Sequence, residues 1–208
     1  ENKTDILLED LEETTKMVKL SLEKAIIYGG RQRGVIGTPT ATLMGGLDTF
    51  ITTNVTDLAG VNLSLYSLES EIRDLWKSVG ENRATKLLMS ADTASLFDTL
   101  LNPYREASMD TTSATLMLDK VKFRFATFDI VVSRWIPNGI IYGIRPEFIK
   151  VHPFKGNNWQ VEDVPTSGPY QKKAIWGDFS LSLKAESTMF RIAGFSQNEA
   201  NYDRNSFI

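Results

Sequence analysis

Residues 5–28 most limit what this chain can fold into. Leu8, Leu11, Thr15, Val18, Leu22 and Ala25 recur at spacings of 3, 4, 3, 4 and 3, which puts one apolar stripe along one side of a helix. Glu9, Asp10, Glu12, Glu13, Lys16, Lys19, Glu23 and Lys24 fall mostly off that stripe. Thr4 or Asp5 is placed to cap the start, and acids crowd the first turns, where the helix dipole favours them. Gly29-Gly30 is a natural stop. Such a helix would be roughly 36 Å long. A lone helix of this length gains most of its stability from packing, so its stripe needs a sheet or a neighbouring subunit to cover it.

The glycine- and threonine-rich stretch that follows, residues 30–46, reads as an extended loop, with a short segment at 47–52 behind it. Residues 67–79 read as a second helix with Leu68, Ile72, Leu75, Trp76 and Val79 on one face and Gly80 as its stop. TKLLMS (85–90) reads as a short buried strand. A third helix capped by Ser90 or Asp92 runs from there to about Leu101, where Asn102-Pro103 ends it. Strands are then predicted over 116–125, 128–133, 139–144, 148–154, 174–185 and 189–195, with Pro137-Asn138-Gly139 and Glu186-Ser187-Thr188 as turns. Residues 196–208 read as a loose polar tail. A leading helix, a mixed middle and a β-rich end make the fold class α+β, not a doubly wound sheet. No internal repeat is visible.

The chemistry that would make this chain an enzyme does not assemble in the sequence. The glycines at 29 and 30 invite a phosphate-binding reading, but no Lys-Ser/Thr pair stands where a P-loop needs it, and a helix precedes them where a strand is required. The single histidine, His152, cannot make a two-histidine metal site, and no G-x-S-x-G elbow offers it a serine; it reads as a structural or surface residue. Glu69, Glu71 and Asp74 read as a solvated helix face, and Glu162-Asp163 as a loop. No calcium loop is present. With no cysteine in 208 residues, disulfides, thiol catalysis and cysteine-bound zinc are excluded. Catalytic, cofactor-binding and metal-binding residues are therefore expected to be none. A formal net charge of −3 argues against a protein built chiefly to grip nucleic acid. No apolar run approaches the ~20 residues of a membrane helix, and no signal peptide is visible, so no membrane partner is expected. Three Asn-x-Ser/Thr triplets, at Asn2, Asn54 and Asn62, carry no secretory context. The basic residues Arg31 and Arg33, in the loop after the long helix, and Lys172 and Lys173 are the candidates for contacts with an acidic partner; Lys120, Lys122 and Arg124 mark a solvated or interface face.

The order of phrases along the chain resembles a known family. A charged helix ending LEKAIIYGG leads through a threonine- and glycine-rich loop to MGGLDTFI and TNV; a helix, the strand TKLLMSAD and a further helix follow; the close is IRPEFIKVHPF and then KKAIWGDFSLSLKAESTMFRIAGF. This is similar to the major capsid proteins of tailed bacteriophages and prophages with the compact Hong Kong phage-type fold, from about residue 5 to residue 195.

The resemblance implies a peripheral domain in residues 1–45 carrying the long helix as a spine packed on a β-sheet. It implies an α/β axial domain in 46–144, and return strands of the peripheral domain with a C-terminal tail in 145–208. The implied role is structural: self-assembly of copies of the chain into hexamers and pentamers of an icosahedral shell. That shell would enclose packaged double-stranded DNA without sequence specificity, with portal, scaffolding or decoration proteins as further partners. The implied location is the virion, with assembly in the bacterial host cytoplasm. Relatives usually carry an N-terminal arm and a long extended hairpin loop before the spine helix. This sequence starts Glu-Asn-Lys-Thr, almost at the helix, and is expected to be a piece of a longer product. An encapsulin-like compartment shell, and a soluble enzyme or ligand-binding domain with a scattered site, are the alternative readings.

Overall fold

The computed structural model describes residues 3–35, 42–101, 120–154, 158–168 and 172–197. The helix-ending Asn102-Pro103, the start of the 116–125 strand, the triplet at Asn2, the tail beyond 197 and the capping side chains at Thr4 and Asp5 lie outside what is described. In chain order the elements are α1 (Lys3–Tyr28), α2 (Leu47–Phe50), β1 (Val55–Asp57), α3 (Leu65–Val79), β2 (Lys86–Met89), α4 (Ala91–Leu101), β3 (Lys120–Lys122), β4 (Thr127–Val132) and β5 (Ile141–Ile144). After these come β6 (Ile149–Pro153), β7 (Gln160–Val164), β8 (Lys172–Trp176), β9 (Phe179–Leu183) and β10 (Phe190–Ala193). The class is α+β, as the order of patterns predicts. The chain divides into two compact units: Glu1–Phe50 with Ile149–Leu183, and Ile51–Phe148 with Lys184–Ile208.

The second unit is built on a six-stranded mixed sheet in the order β1-β10-β5-β2-β4-β3. Its core joins Leu68, Ile72 and Leu75 of α3 to Leu87 and Met89 of β2, Leu96 and Phe97 of α4, Phe128, Ile141 and Phe190. Each such side chain contributes about 1.5–3 kcal/mol when fully buried. Helix α3 starts two residues before the sequence reading. Ser64 caps it, accepting from the Ser67 amide at 3.1 Å, while Ser67 Oγ accepts from the Ser64 amide at 3.1 Å. Trp76, expected on the buried face, is exposed and meets Phe125 with ring centroids 5.8 Å apart. At α4 the cap is Ser90, whose Oγ accepts from the Thr93 amide at 3.2 Å. In β5, Gly143 stands opposite Phe190 of β10, and the Phe190 ring occupies the space a Cβ there would fill. That ring meets Phe128 edge-on at 6.3 Å, an arrangement that adds to simple burial.

Three sequence expectations change in this sheet. The strand expected over 116–125 is three residues long where it is described. The chain reverses after it, with the Phe123 amide donating to the Ala126 carbonyl at 2.7 Å, so that β4 can pair back on β3. The edge strand β1 has no counterpart among the predicted elements; it lies parallel to β10. And β10, expected with the strands returning beside the long helix, is instead hydrogen-bonded between β1 and β5.

The first unit holds α1, α2 and two separate two-stranded ribbons, β6 with β9 and β7 with β8. The strand expected as one run over 174–185 is broken at Gly177-Asp178. Residues before the break pair with β7 and residues after it with β6. A Cβ at Gly177 would sit 2.8 Å from the Phe179 ring, which accounts for glycine at the bend. Helix α1 is 26 residues long, roughly 39 Å. Its stripe is only partly covered: Leu11, Thr15, Val18, Leu22 and Ala25 are half-buried, while Leu8 is 54% exposed; Met17, on the opposite side of the helix, is 63% exposed.

Candidate functional site

Gly29, directly after α1, ends the helix and, together with Gly46, locks the loop behind it. The Gly29 amide donates to the Ala25 carbonyl at 2.8 Å, a last helical bond. The Gly29 carbonyl then accepts twice, from the Gly46 amide at 2.7 Å and the Thr49 hydroxyl at 2.7 Å. The two backbones touch so closely that a Cβ at Gly29 would overlap the Met44 carbonyl, and one at Gly46 would lie 2.5 Å from the Gly29 nitrogen. The glycines are required by backbone packed on backbone, and both amides are already used inside the protein. A phosphate cradle needs those amides free.

This knot sets the direction of the chain that follows. Gln32 and Leu43 exchange both backbone hydrogen bonds, at 3.3 and 2.9 Å, and the Gly34 amide donates to Thr42 Oγ1 at 3.1 Å. Because side chains alternate along extended chain, Arg31 and Arg33 flank Gln32 on a common face. Both line a cleft of about 900 Å³ whose apolar wall includes Leu22 and Ala25 of α1, Met44, Phe50, Phe179 and Leu181. Leu43 and Phe154, also on the cleft, are 50% and 67% exposed. Nearby, Tyr28 is held above the usual phenol range, first by burial and then by the charge of Asp48, so it stays a neutral donor at physiological pH.

Lys172 and Lys173 are elsewhere in the same unit. They are exposed on β8, opposite Val164 and Asp163 of β7. Lys173 Nζ lies 3.6 Å from Asp163 Oδ1, so its charge has a partner within the chain. The four basic candidates thus form two separate pairs, the arginines on the cleft and the lysines on a ribbon. His152 Nε2 lies 2.9 Å from Ser182 Oγ across the β6–β9 ribbon. Among the described residues no carboxylate is hydrogen-bonded to that ring. Glu71 accepts from Thr56 Oγ1 at 2.6 Å and Asp74 pairs with Lys77 at 3.0 Å, both as helix-surface groups. Among the described residues no group of three or more His, Asp or Glu is placed to hold a metal, and no helix is long and apolar enough to cross a membrane.

One residue with a clear structural role was not singled out by its sequence. Glu186 accepts from the Thr52 amide at 2.7 Å, the Thr53 amide at 2.6 Å and the Thr53 hydroxyl at 2.7 Å. Burial pushes its carboxyl up, but these bonds outweigh burial and hold it below the usual carboxylate range. Asn54 Nδ2 adds bonds of 2.8 Å to the carbonyls of Ser187 and Met189. Together they pin β1 beside β10. The partners lie 133 to 135 residues apart in sequence, so only the Glu186-Ser187-Thr188 turn was legible.

The profile of a family described as SU10 major capsid protein matches residues 1–196. No curated protein matches the chain. Among solved structures, the chain is similar to the holo-SrpI encapsulin complex from Synechococcus elongatus, determined by cryo-electron microscopy. The TM-score is 0.63 at 12% identity, covering 95% of this chain and 69% of that one. At that identity the likeness speaks for the fold alone.

Proposed function

The chain belongs to the SU10 major capsid protein family, and from that premise we propose that it is the structural subunit of a phage head. Copies assemble into hexamers and pentamers of an icosahedral shell that encloses double-stranded DNA. The observation that carries this reading is the family match over residues 1–196, nearly the whole chain. In this reading the unit with α1 is the peripheral domain, with α1 as its spine, and the six-stranded unit is the axial domain near the centre of each capsomer. The role is structural, not catalytic. Many modest heterologous contacts closing into rings supply the driving force. An overall charge of −3 fits a wall that does not adhere tightly to packaged phosphates, since counter-ion release rewards basic surfaces. The subunit resides in the virion and assembles in the host cytoplasm.

The encapsulin likeness supports a shared shell fold and does not favour a protein-loaded compartment over a phage head. The test is to express the full-length gene product and image it by negative-stain electron microscopy. Rings or closed shells are expected. A protein that stays monomeric or dimeric at high concentration would overturn the proposal.

A further inference from the structure

We propose that Asn138-Gly139 is a latent deamidation site, held inert in the folded unit by Asp92 and Thr93 of α4 and reactive once the turn lifts off that helix. It is the one Asn-Gly pair in the sequence. In such a pair the glycine backbone nitrogen attacks the asparagine Cγ. A nitrogen–carbon bond forms, the Cγ–Nδ2 bond breaks, and ammonia leaves with the proton that the backbone nitrogen gives up. Water then opens the cyclic imide at either of its carbonyls, leaving an aspartate or an isoaspartate at position 138. Glycine favours the attack because no side chain shields its nitrogen and its backbone turns freely.

Three observations carry the proposal. First, both reacting groups are tied to the first turn of α4. Asn138 Nδ2 donates to Asp92 Oδ2 at 2.5 Å, and the Gly139 amide donates to Thr93 Oγ1 at 3.3 Å. The carboxylate fixes the carboxamide on the helix and makes its carbon a poorer electrophile; the hydroxyl holds the proton on the attacking nitrogen. Second, the anchor is itself built in. Thr93 is fully buried, and its Oγ1 also accepts from Oγ of Ser90, the cap of α4, at 2.9 Å. Gly139 is buried too, at φ +80°, with the Phe195 carbonyl 3.2 Å from where a Cβ would stand. Third, Asn138 is exposed, so water reaches the imide as soon as it forms. The product does not dock again. A carboxylate at 138 has no proton to give Asp92, and two like charges face each other where a hydrogen bond stood. The site therefore marks subunits whose turn has opened.

The tryptic peptide 135–150 contains Asn138 and no other Asn or Gln, since trypsin does not cut before Pro146. Its amide-to-acid mass shift is followed in the full-length protein at mildly alkaline pH. Deamidation should be slow in the folded wild type and fast in urea. In folded Asp92→Ala it should be about tenfold faster than in the folded wild type, the factor implied by losing one hydrogen bond to a charged group. Ser64→Ala, which opens the cap of α3 and leaves the turn untouched, should match the wild type. Equal rates in folded and unfolded wild type, or Asp92→Ala no faster than Ser64→Ala, would overturn the proposal. A second variant, Asn138→Asp, leaves α4 intact and does not depend on Asp92→Ala folding. Its Gly139 amide should exchange with deuterium faster than in the wild type, and unchanged protection there would also overturn the proposal.

Discussion

The two longest helices among the described residues, α1 in the first unit and α3 in the second, are treated in opposite ways. Helix α3 has 15 residues, a reciprocal serine cap and Leu68, Ile72 and Leu75 buried in a continuous core. Helix α1 has 26 residues, yet of its described side chains only Ile27, beside the glycine knot, is fully buried. One helix is finished by its own unit. The other is held at its C-terminal end by the glycine knot and only half-covered along its described stripe. The six-stranded unit carries the continuous core, and the helical unit leaves apolar side chains of α1 part-exposed.

Mutations should separate the two units. The largest loss of stability is expected for Phe190→Ala, which empties the ring from over Gly143 and from its contact with Phe128. About 3–5 kcal/mol should be lost in urea denaturation. Gly46→Ala forces a Cβ against the Gly29 backbone and should cost about 1–3 kcal/mol. Here the signature is local, with faster proteolysis in residues 29–46 while the core of the second unit stays protected. Glu186→Gln should cost about 1–2 kcal/mol through weakened bonds to Thr52 and Thr53. Because those bonds hold the Glu186 carboxyl below its unfolded value, its contribution is present above the usual glutamate pKa. It disappears as pH falls through the lower folded value. The wild type should lose stability across that acid window more steeply than Glu186→Gln, and parallel pH profiles would remove Glu186 from the account.

Ser64→Ala should cost about 1 kcal/mol by opening the cap of α3. Leu8→Ser comes last: within about 0.5 kcal/mol of wild type in stability, as an exposed position should be, while impairing assembly. If it destabilised the isolated subunit as Ser64→Ala does, the contrast between the two helices would fail.

How much of this was legible in the sequence follows the range of the interactions. Helices α1, α3 and α4 and strand β2 were readable because each carries its own periodicity and stop signals within a dozen or so residues. The bend at Gly177-Asp178 was not, since alternation runs through both halves of 174–185 and only the choice of partner, β7 or β6, separates them. The burial of Trp76 was overread because its helical spacing fits the buried face, whereas the fold leaves it at the edge with Phe125. The placement of β10 and the Glu186 clamp depend on residues more than a hundred positions away. At the candidate site, Arg31 and Arg33 were visible as basic loop residues. The cleft they line was not, because its walls come from α1, the loop and β9, which only the folded unit brings together.

The central claim is that α1 is left open in the subunit and covered in the shell. Amide hydrogen exchange followed by mass spectrometry, on assembled particles and on dissociated subunits of the same protein, tests it directly. Peptides spanning residues 8–22 should exchange much more slowly in particles than in subunits, while peptides from α3 exchange equally in both. Equal protection of residues 8–22 in the two states would contradict the account.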